Sequence, residues 1–141
     1  MIHMIKLSVG VKTLEELESY RDERAHWWGA GYGEQVHVHR TRMMPKRAAE
    51  MAGLSSVYWV IGGMVVARQP ILQLTKYTDA EGKDYCDIIM SRDMVRTVPY
   101  PKRPFQGWRY LRPEDAPPDL GANENAESLA LAADLAKLGL I

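Results

Sequence analysis

The sequence predicts a small α+β domain built on a curled, mostly antiparallel sheet, and three patterns lead to that prediction. A helix-capping motif begins at Thr13, close after an alternating apolar run that is typical of a strand. Two β-branched and aromatic runs flank the pair Gly62-Gly63, which is the pattern of a tight hairpin. An Ala/Leu-rich stretch over about residues 124–138 predicts a C-terminal helix that is apolar on two sides.

Local signals predict the elements in order along the chain. Alternating apolar residues predict a first strand from Ile5 to Val11, and the capping box of Thr13 and Glu16 starts a helix at Leu14. The elements predicted next are a Gly-rich loop at 29–33, a strand at 36–43, a short helix at 45–51, hairpin strands at 56–61 and 64–69, a bulge or bend at Pro70, a turn at 79–83 and a strand at 85–90. Prolines then predict an extended passage over residues 99–104 that leads into residues 105–111.

The end of the chain is predicted to be a separate unit. Residues 112–123 contain three prolines and predict a linker or an arm that lies along the surface. We therefore predict one domain over residues 1–121 and, within residues 122–141, a helix packed on that domain or on a partner. Several hairpins, with helices between the first strands and at the end, favour a curled or barrel-like sheet flanked by helices.

Composition limits the class of protein. The 141 residues, 46% hydrophobic and 26% charged, are typical of one globular domain. Cys86 is the only cysteine, which excludes an intramolecular disulfide and a Cys-x-x-Cys site. The N-terminal residues lack the pattern of a signal peptide, and no run approaches the roughly 18 apolar residues of a membrane span. We expect a cytoplasmic protein without a membrane partner, and nothing in the sequence predicts a cofactor.

Charge is strongly segregated, although the formal net charge is zero. Residues 37–47 carry four cations and no acid, residues 96–112 carry five cations and no acid, and residues 113–141 carry six acids and one lysine. Such segments form separate basic and acidic regions unless they fold onto each other. If they do, the acidic final helix covers the basic groove and competes with its ligand.

The second basic segment interleaves cations with aromatic residues, the combination that contacts phosphates and stacks on bases. In an extended strand Trp108 and Tyr110 share one face and Arg109 takes the other. The residues predicted to bind a nucleic acid or another anion are Arg40, Arg42, Lys46, Arg47, Arg68, Arg103, Trp108, Arg109 and Tyr110. The alternative is that the aromatic side chains belong to the core and that the arginines are ordinary solvated surface.

Two arginines fall on the mainly apolar stripe of the first helix. Arg21 and Arg24 share this stripe with Leu14, Leu17 and Trp28. Either their stems pack while their charged heads reach water, or the heads point into a groove that requires positive charge.

Signals for metal binding or catalysis are sparse. His37 and His39 lie two residues apart, so on a strand both point the same way, as in a metal pair, but a third ligand must come from elsewhere. The alternative is an exposed or hydrogen-bonded pair on a polar strand face. Cys86 is predicted to be a small buried thiol within a strand rather than a nucleophile. No two carboxylates suggest an acid–base dyad.

Several blocks of the chain resemble a known family. Residues 41–47 (TRMMPKR), 58–61 (YWVI), 67–69 with Ile71, and 105–120 (FQGWRYLRPEDAPPDL) resemble a bacterial family of unknown function, the one numbered 1489. The resemblance covers about residues 4–121, leaves the final helix outside and implies no activity or catalytic residue. Gly62 departs from the family resemblance, in which a lysine is expected at this position. The order of elements is also similar to the PUA-like group, including the ASCH and EVE domains, whose curled barrels are often associated with RNA or modified bases.

Three classes of function stay open, and whether the chain catalyses a reaction stays open with them. The favoured hypothesis is a non-catalytic PUA-like module that recognises RNA or a nucleotide on its basic, aromatic surface. The second is a small-molecule enzyme with a polar pocket formed by His37, His39, Tyr58, Arg68 and Gln69. The third is a protein-interaction domain, in which the C-terminal helix forms a homodimer or docks on another protein.

Overall fold

A computed structural model describes the backbone of residues 1–32 and 36–121, and the side chains of residues 1–24 and 36–121. The helix predicted at 124–138, the proposed unit 122–141 and a homodimer through it lie outside the described residues. The described elements are β1 (His3–Leu7), α1 (Leu14–Tyr32), β2 (Val36–Thr41), β3 (Ser56–Ile61), β4 (Met64–Thr78), β5 (Asp84–Ser91), β6 (Val95–Pro101), β7 (Trp108–Leu111) and 3₁₀ helices at Ala48–Glu50 and Pro113–Asp115.

The strands form one mixed sheet in the order β2-β5-β4-β3-β1-β7, with β6 paired to β4 beside this path. Only β1 and β3 run parallel among the described strands, so the prediction of a mostly antiparallel sheet is confirmed. No pairing between described strands joins β2 to β7, and the sheet is therefore open. A PUA-like barrel is not supported. The described part of the chain holds one α-helix rather than several flanking helices.

The long strand β4 pairs with different strands along its length. Its first half pairs with β3 on one side and β6 on the other, and its second half pairs with β5 from Ile71 to Thr78. Of the bulge or bend predicted at Pro70, the structure shows an irregularity of the ladder, while the strand itself continues through the proline. Pro70 lies at the last pair of the β3–β4 ladder, next to a register shift between Ile71 and Gln73, where β4 changes partners. Proline is tolerated at such irregular positions because no regular ladder bond is lost.

The first helix begins where its capping box places it. The Glu16 amide donates to Thr13 Oγ1 at 3.1 Å, and the Glu16 carboxylate accepts from the Lys12 amide at 3.0 Å. The prediction of a loop over residues 29–33 is wrong for its first four residues, because α1 continues to Tyr32. Glycine weakens a helix by about 1 kcal/mol per residue but does not prevent one.

Other boundaries also differ from the predictions. β1 ends at Leu7 instead of Val11, β2 ends two residues early at Thr41, and the short helix predicted at 45–51 is reduced to a 3₁₀ turn. The passage predicted as extended over residues 99–104 overlaps the strand β6 only at residues 99–101, and Pro99 falls where the β4–β6 register is irregular. The arm over residues 112–121 lies along β6. The Val98 amide donates to the Pro118 carbonyl, and the Leu120 amide donates to the Arg96 carbonyl.

Buried side chains form a cluster on each face of the sheet. The larger cluster lies under α1 and includes Met4, Leu14, Leu17, Met51, Val57, Trp59, Ile71, Ile88 and Met90. The smaller one, Ile5, Tyr58, Val60, Val65 and Phe105, is packed against Leu7, Leu111 and Ala116. Neighbouring residues of β1 and β3 thus face opposite clusters, which places polar residues of these strands on defined sides.

Candidate functional site

The strand β7 presents its side chains on two faces of the sheet. It pairs antiparallel with β1, with Trp108 opposite Lys6, Arg109 opposite Ile5 and Tyr110 opposite Met4. Trp108 and Tyr110 therefore share the face on which α1 lies, and Arg109 points to the other face. β7 ends the path of described strands, so its outer edge has no strand partner among them.

The two basic segments meet at this strand. The indole Nε1 of Trp108 donates to the carbonyl of Met43 at 3.0 Å, and the amide of Arg47 donates to the Tyr110 hydroxyl at 3.2 Å. The rings of Trp108 and Tyr110 contact each other edge to face, with centroids 5.1 Å apart. We call Lys46, Arg47, Trp108, Arg109 and Tyr110 the β7 surface.

Three of the predicted arginines are paired with carboxylates. Arg40 forms two hydrogen bonds to Asp87, at 2.6 and 2.8 Å, and Arg68 forms two to Asp119, both at 2.8 Å. Arg47 forms two to Glu50, at 2.6 and 2.7 Å. These hydrogen bonds are the main reason that the pKa of Arg68 and of Arg47 is raised. Because their charge is balanced locally, these arginines attract an outside anion less than free cations do.

The other predicted cations are exposed. Lys46, Arg103 and Arg109 have no carboxylate partner within the part of the chain that the structure describes. The Arg109 guanidinium lies 4.9 Å from the centroid of Phe105. Arg42 donates to the carbonyl of Asp84 and stacks on Tyr85.

His37 belongs to a buried hydrogen-bond network. The Gln69 amide nitrogen donates to His37 Nδ1 at 2.7 Å and to the Ser91 carbonyl at 2.8 Å, while its oxygen accepts from Trp59 Nε1 at 3.1 Å. Because Nδ1 accepts, the proton is on Nε2, which donates to Asp22 at 2.8 Å. Burial lowers the pKa of His37, and the Asp22 carboxylate opposes that shift only in part. Both ring nitrogens are occupied, so His37 orders the interior.

The residues of the predicted polar pocket do not all come together. His37 and Gln69 are in contact, but Tyr58 and Arg68 face each other across β3 and β4 on the other side of the sheet. Among the residues that the structure describes, no three His, Cys, Asp or Glu side chains are placed to share a metal ion. Cys86 is buried, and burial raises the pKa of its thiol to about 11. No helix in the described ranges is long and apolar enough to cross a membrane.

A group of polar residues that the sequence did not single out as a site lies under α1. Arg21 is buried and donates to the Val38 carbonyl at 3.1 Å and to His39 Nδ1 at 2.8 Å. It lines a cavity of about 280 Å³, together with Lys6, His39 and Trp59. The sequence left open whether the charged head of Arg21 reaches water or points into a groove. In the structure the guanidinium is buried beside a cavity. The only sequence signal was a cation on an apolar helix stripe.

Comparisons with known proteins identify the family. A sequence model of the family described as "Protein of unknown function (DUF1489)" matches residues 4–141. The chain therefore belongs to this family, and the match extends beyond residue 121, where the resemblance in the sequence was expected to end. The search of curated proteins gave no match, and neither did the search of solved structures.

Proposed function

We propose that this DUF1489 protein is a non-catalytic binding module that recognises single-stranded RNA or a nucleotide on the β7 surface. One observation carries the proposal. The loop over residues 42–47 is docked on β7 by two hydrogen bonds, from Trp108 and to Tyr110, so the cations of one basic segment lie beside the aromatic rings of the other, with the Arg47 guanidinium 6.0 Å from the centroid of the Tyr110 ring. A base can stack on an aromatic face while neighbouring cations contact phosphates.

The exposure of the side chains fits this use. Tyr110 is 39% exposed although it belongs to a strand, and Trp108 is half-buried beside it. Lys46, Arg103 and Arg109 are exposed. A Trp or Tyr kept partly open next to free cations is what a base-stacking site requires.

The ion pairs of the other arginines set the expected salt dependence. If only Lys46, Arg103 and Arg109 contact phosphates, three charges predict a slope of log K against log salt of about −2 for a single strand. If all seven predicted cations contacted phosphates, the slope would be about −5. The slope therefore measures how many of the predicted cations take part.

Fluorescence anisotropy of a labelled oligouridylate, titrated with the full chain at several sodium chloride concentrations, tests the proposal. We expect binding with a slope near −2, and we expect Arg103→Ala with Arg109→Ala to abolish it without changing the melting temperature. The matched control is Lys12→Ala with Lys83→Ala, which also removes two exposed cations that have no carboxylate partner among the described residues but belong to neither basic segment. An absence of binding at low salt, or equal loss in both double variants, would contradict the proposal.

A further inference from the structure

The cavity under α1 is lined by residues with an unusual balance of charge. It has a volume of about 280 Å³ and lies between the first turns of α1, the strands β1 to β3 and the loop that follows β1. Its lining residues are Lys6, Leu7, Ser8, Val9, Gly10, Val11, Leu17, Tyr20, Arg21, His39 and Trp59. None of these residues is an acid, and three carry a cation or an imidazole.

Arg21 is buried, and no described residue places an opposite charge beside it. Only 5% of it is exposed, and no carboxylate within the described residues pairs with it. Its guanidinium stacks 5.1 Å from the Trp59 ring and donates to a carbonyl and to a neutral imidazole. Its Nε has no hydrogen-bond partner among the described residues. Burial is the main reason that the pKa of Arg21 falls to about 10.

Such a charge is costly for the ligand-free protein. Arginine keeps its proton even when it is buried, so the cost of removing it from water must be recovered from neighbouring groups. A carbonyl and an aromatic face recover part of that cost but do not balance the charge. An anion in the cavity would balance it.

His39 adds a second unused donor. Because Arg21 always donates, His39 Nδ1 must accept, and the imidazole proton is on Nε2. This Nε2 is buried and also lacks a hydrogen-bond partner among the described residues. Burial first, and the charges of Arg21 and Lys6 next, lower the pKa of His39 to about 2. The ring is therefore a neutral N–H donor across the physiological range.

Lys6 completes the set. It lies on the face of β1 shared with Trp108, and burial together with Arg21 lowers its pKa. From these groups we propose that the cavity binds a small oxyanion, a carboxylate or phosphate group, between Arg21, His39 and Lys6. The two unused N–H groups and the lysine ammonium can only donate, so they select acceptor oxygens. Trp59, Leu17 and Val11 offer an apolar wall to a small organic body on that group.

Thermal unfolding of the full chain with sodium phosphate, sodium acetate or sodium chloride at equal ionic strength tests this site. We expect phosphate, acetate or both to raise the melting temperature by about 5 °C at a tenfold excess over Kd, relative to chloride. A shift with phosphate alone assigns a phosphate group, and a shift with acetate alone assigns a carboxylate. Melting temperatures that are the same in all three salts, up to 50 mM, would overturn the proposal.

Arg21→Met, which keeps the apolar stem, separates ligand binding from a structural role. We expect it to lose the oxyanion-dependent shift, which is measured against chloride in the same variant, because the loss of the donor to the Val38 carbonyl and to His39 Nδ1 also lowers the melting temperature in chloride. Retention of the full shift in this variant would overturn the assignment of Arg21.

The wild-type protein offers a measurement that does not depend on a variant folding. The ¹⁵N and ¹H signals of His39 Nε2–H and Arg21 Nε–H should move on titration with the effective anion, and unmoved signals would overturn the proposal. Arg103 and Arg109 do not line the cavity, so the variant Arg103→Ala with Arg109→Ala should keep the oxyanion shift. Loss of that shift in the double variant would contradict a separate site.

Discussion

Two arginines near the strand β2 are buried to different degrees and have different hydrogen-bond partners. Arg40 lies opposite Asp87 in the β2–β5 ladder and forms two hydrogen bonds to its fully buried carboxylate. Arg21, on the helix that covers β2, is more deeply buried but meets a carbonyl, an imidazole and an indole ring. In the first arrangement cation and carboxylate bind each other, and in the second Arg21 Nε and His39 Nε2 have no hydrogen-bond partner among the described residues.

The difference teaches that the partner of a buried cation, rather than its burial, indicates its role. A paired arginine holds two strands in register and has little left to offer a ligand. An arginine without a carboxylate partner keeps a positive charge that no described residue of the protein balances. The following predictions test this contrast, from the largest expected effect to the smallest.

Removal of the buried carboxylate should be the most damaging change. Asp87→Asn removes the negative charge that faces the partly buried Arg40 guanidinium across two hydrogen bonds, and we expect a loss of about 3 kcal/mol in the free energy of unfolding. Urea denaturation measures it. Asp84→Asn, on the same strand but exposed, is the matched control and should cost far less. Similar losses in both variants would show that the Arg40–Asp87 pair is not special.

The network around His37 should respond next. Gln69→Leu leaves His37 Nδ1 and Trp59 Nε1 buried without a partner, and we expect a loss of about 2 kcal/mol. Gln73→Leu, an exposed position of the same strand, serves as the control in the same urea series. If Gln69→Leu unfolds no more easily than the control, the network does not contribute to stability.

Acid should reveal the burial of His39. In the folded state the pKa of His39 is about 2, against 6.5 as its ordinary value. Below pH 6.5 the unfolded chain therefore binds a proton on His39 that the folded chain does not bind. The contribution to stability is therefore complete above pH 6.5 and falls towards pH 2 by up to about 1.4 kcal/mol per pH unit. His39→Phe should remove this slope between pH 6 and 5. His3 and His37, whose pKa values are also lowered by burial, keep theirs, and an unchanged slope would mean that His39 titrates normally.

The cap of α1 should have the smallest effect. Thr13→Ala removes the bond to the Glu16 amide and should cost about 1 kcal/mol in urea denaturation. Ser19→Ala, in the exposed middle of the helix, should be neutral or slightly stabilising. If the two variants behave alike, the cap does not hold the helix over the cavity.

Signals that lie within a few residues predicted the fold well. The Gly62-Gly63 hairpin and the helix start at Leu14 are observed as predicted, because two positive φ angles and a capping box are decided locally. The strand β6 was missed because Pro99 and Pro101 argue against a strand, and only the irregular pairing with β4 admits them. Whether the sheet closes into a barrel depends on which distant strands pair. The spacing of residues along the sequence does not predict that pairing.

The candidate sites were less predictable for the same reason. Alternation along β7 sufficed to place Trp108 and Tyr110 on one face. Sequence reasoning treated Arg40 and Arg68 as equal to Arg109, because their carboxylate partners lie 47 and 51 residues away along the chain. Arg21 stood out only as a cation on an apolar stripe, since the cavity beside it is formed by strands that the helix pattern cannot identify.

The position of β1 in the sheet has a consequence for synthesis on the ribosome. β1 lies between β3 and β7, and its partner residues end at Val60 on one side and at Leu111 on the other. The second partner emerges about 50 residues after the first, an interval of roughly 3–10 s at ordinary translation rates. Through that interval one edge of a mostly buried strand has no partner in its own chain, which is when a nascent protein is most prone to pair with another chain. Slower translation between residues 61 and 111 should therefore lower the yield of soluble protein.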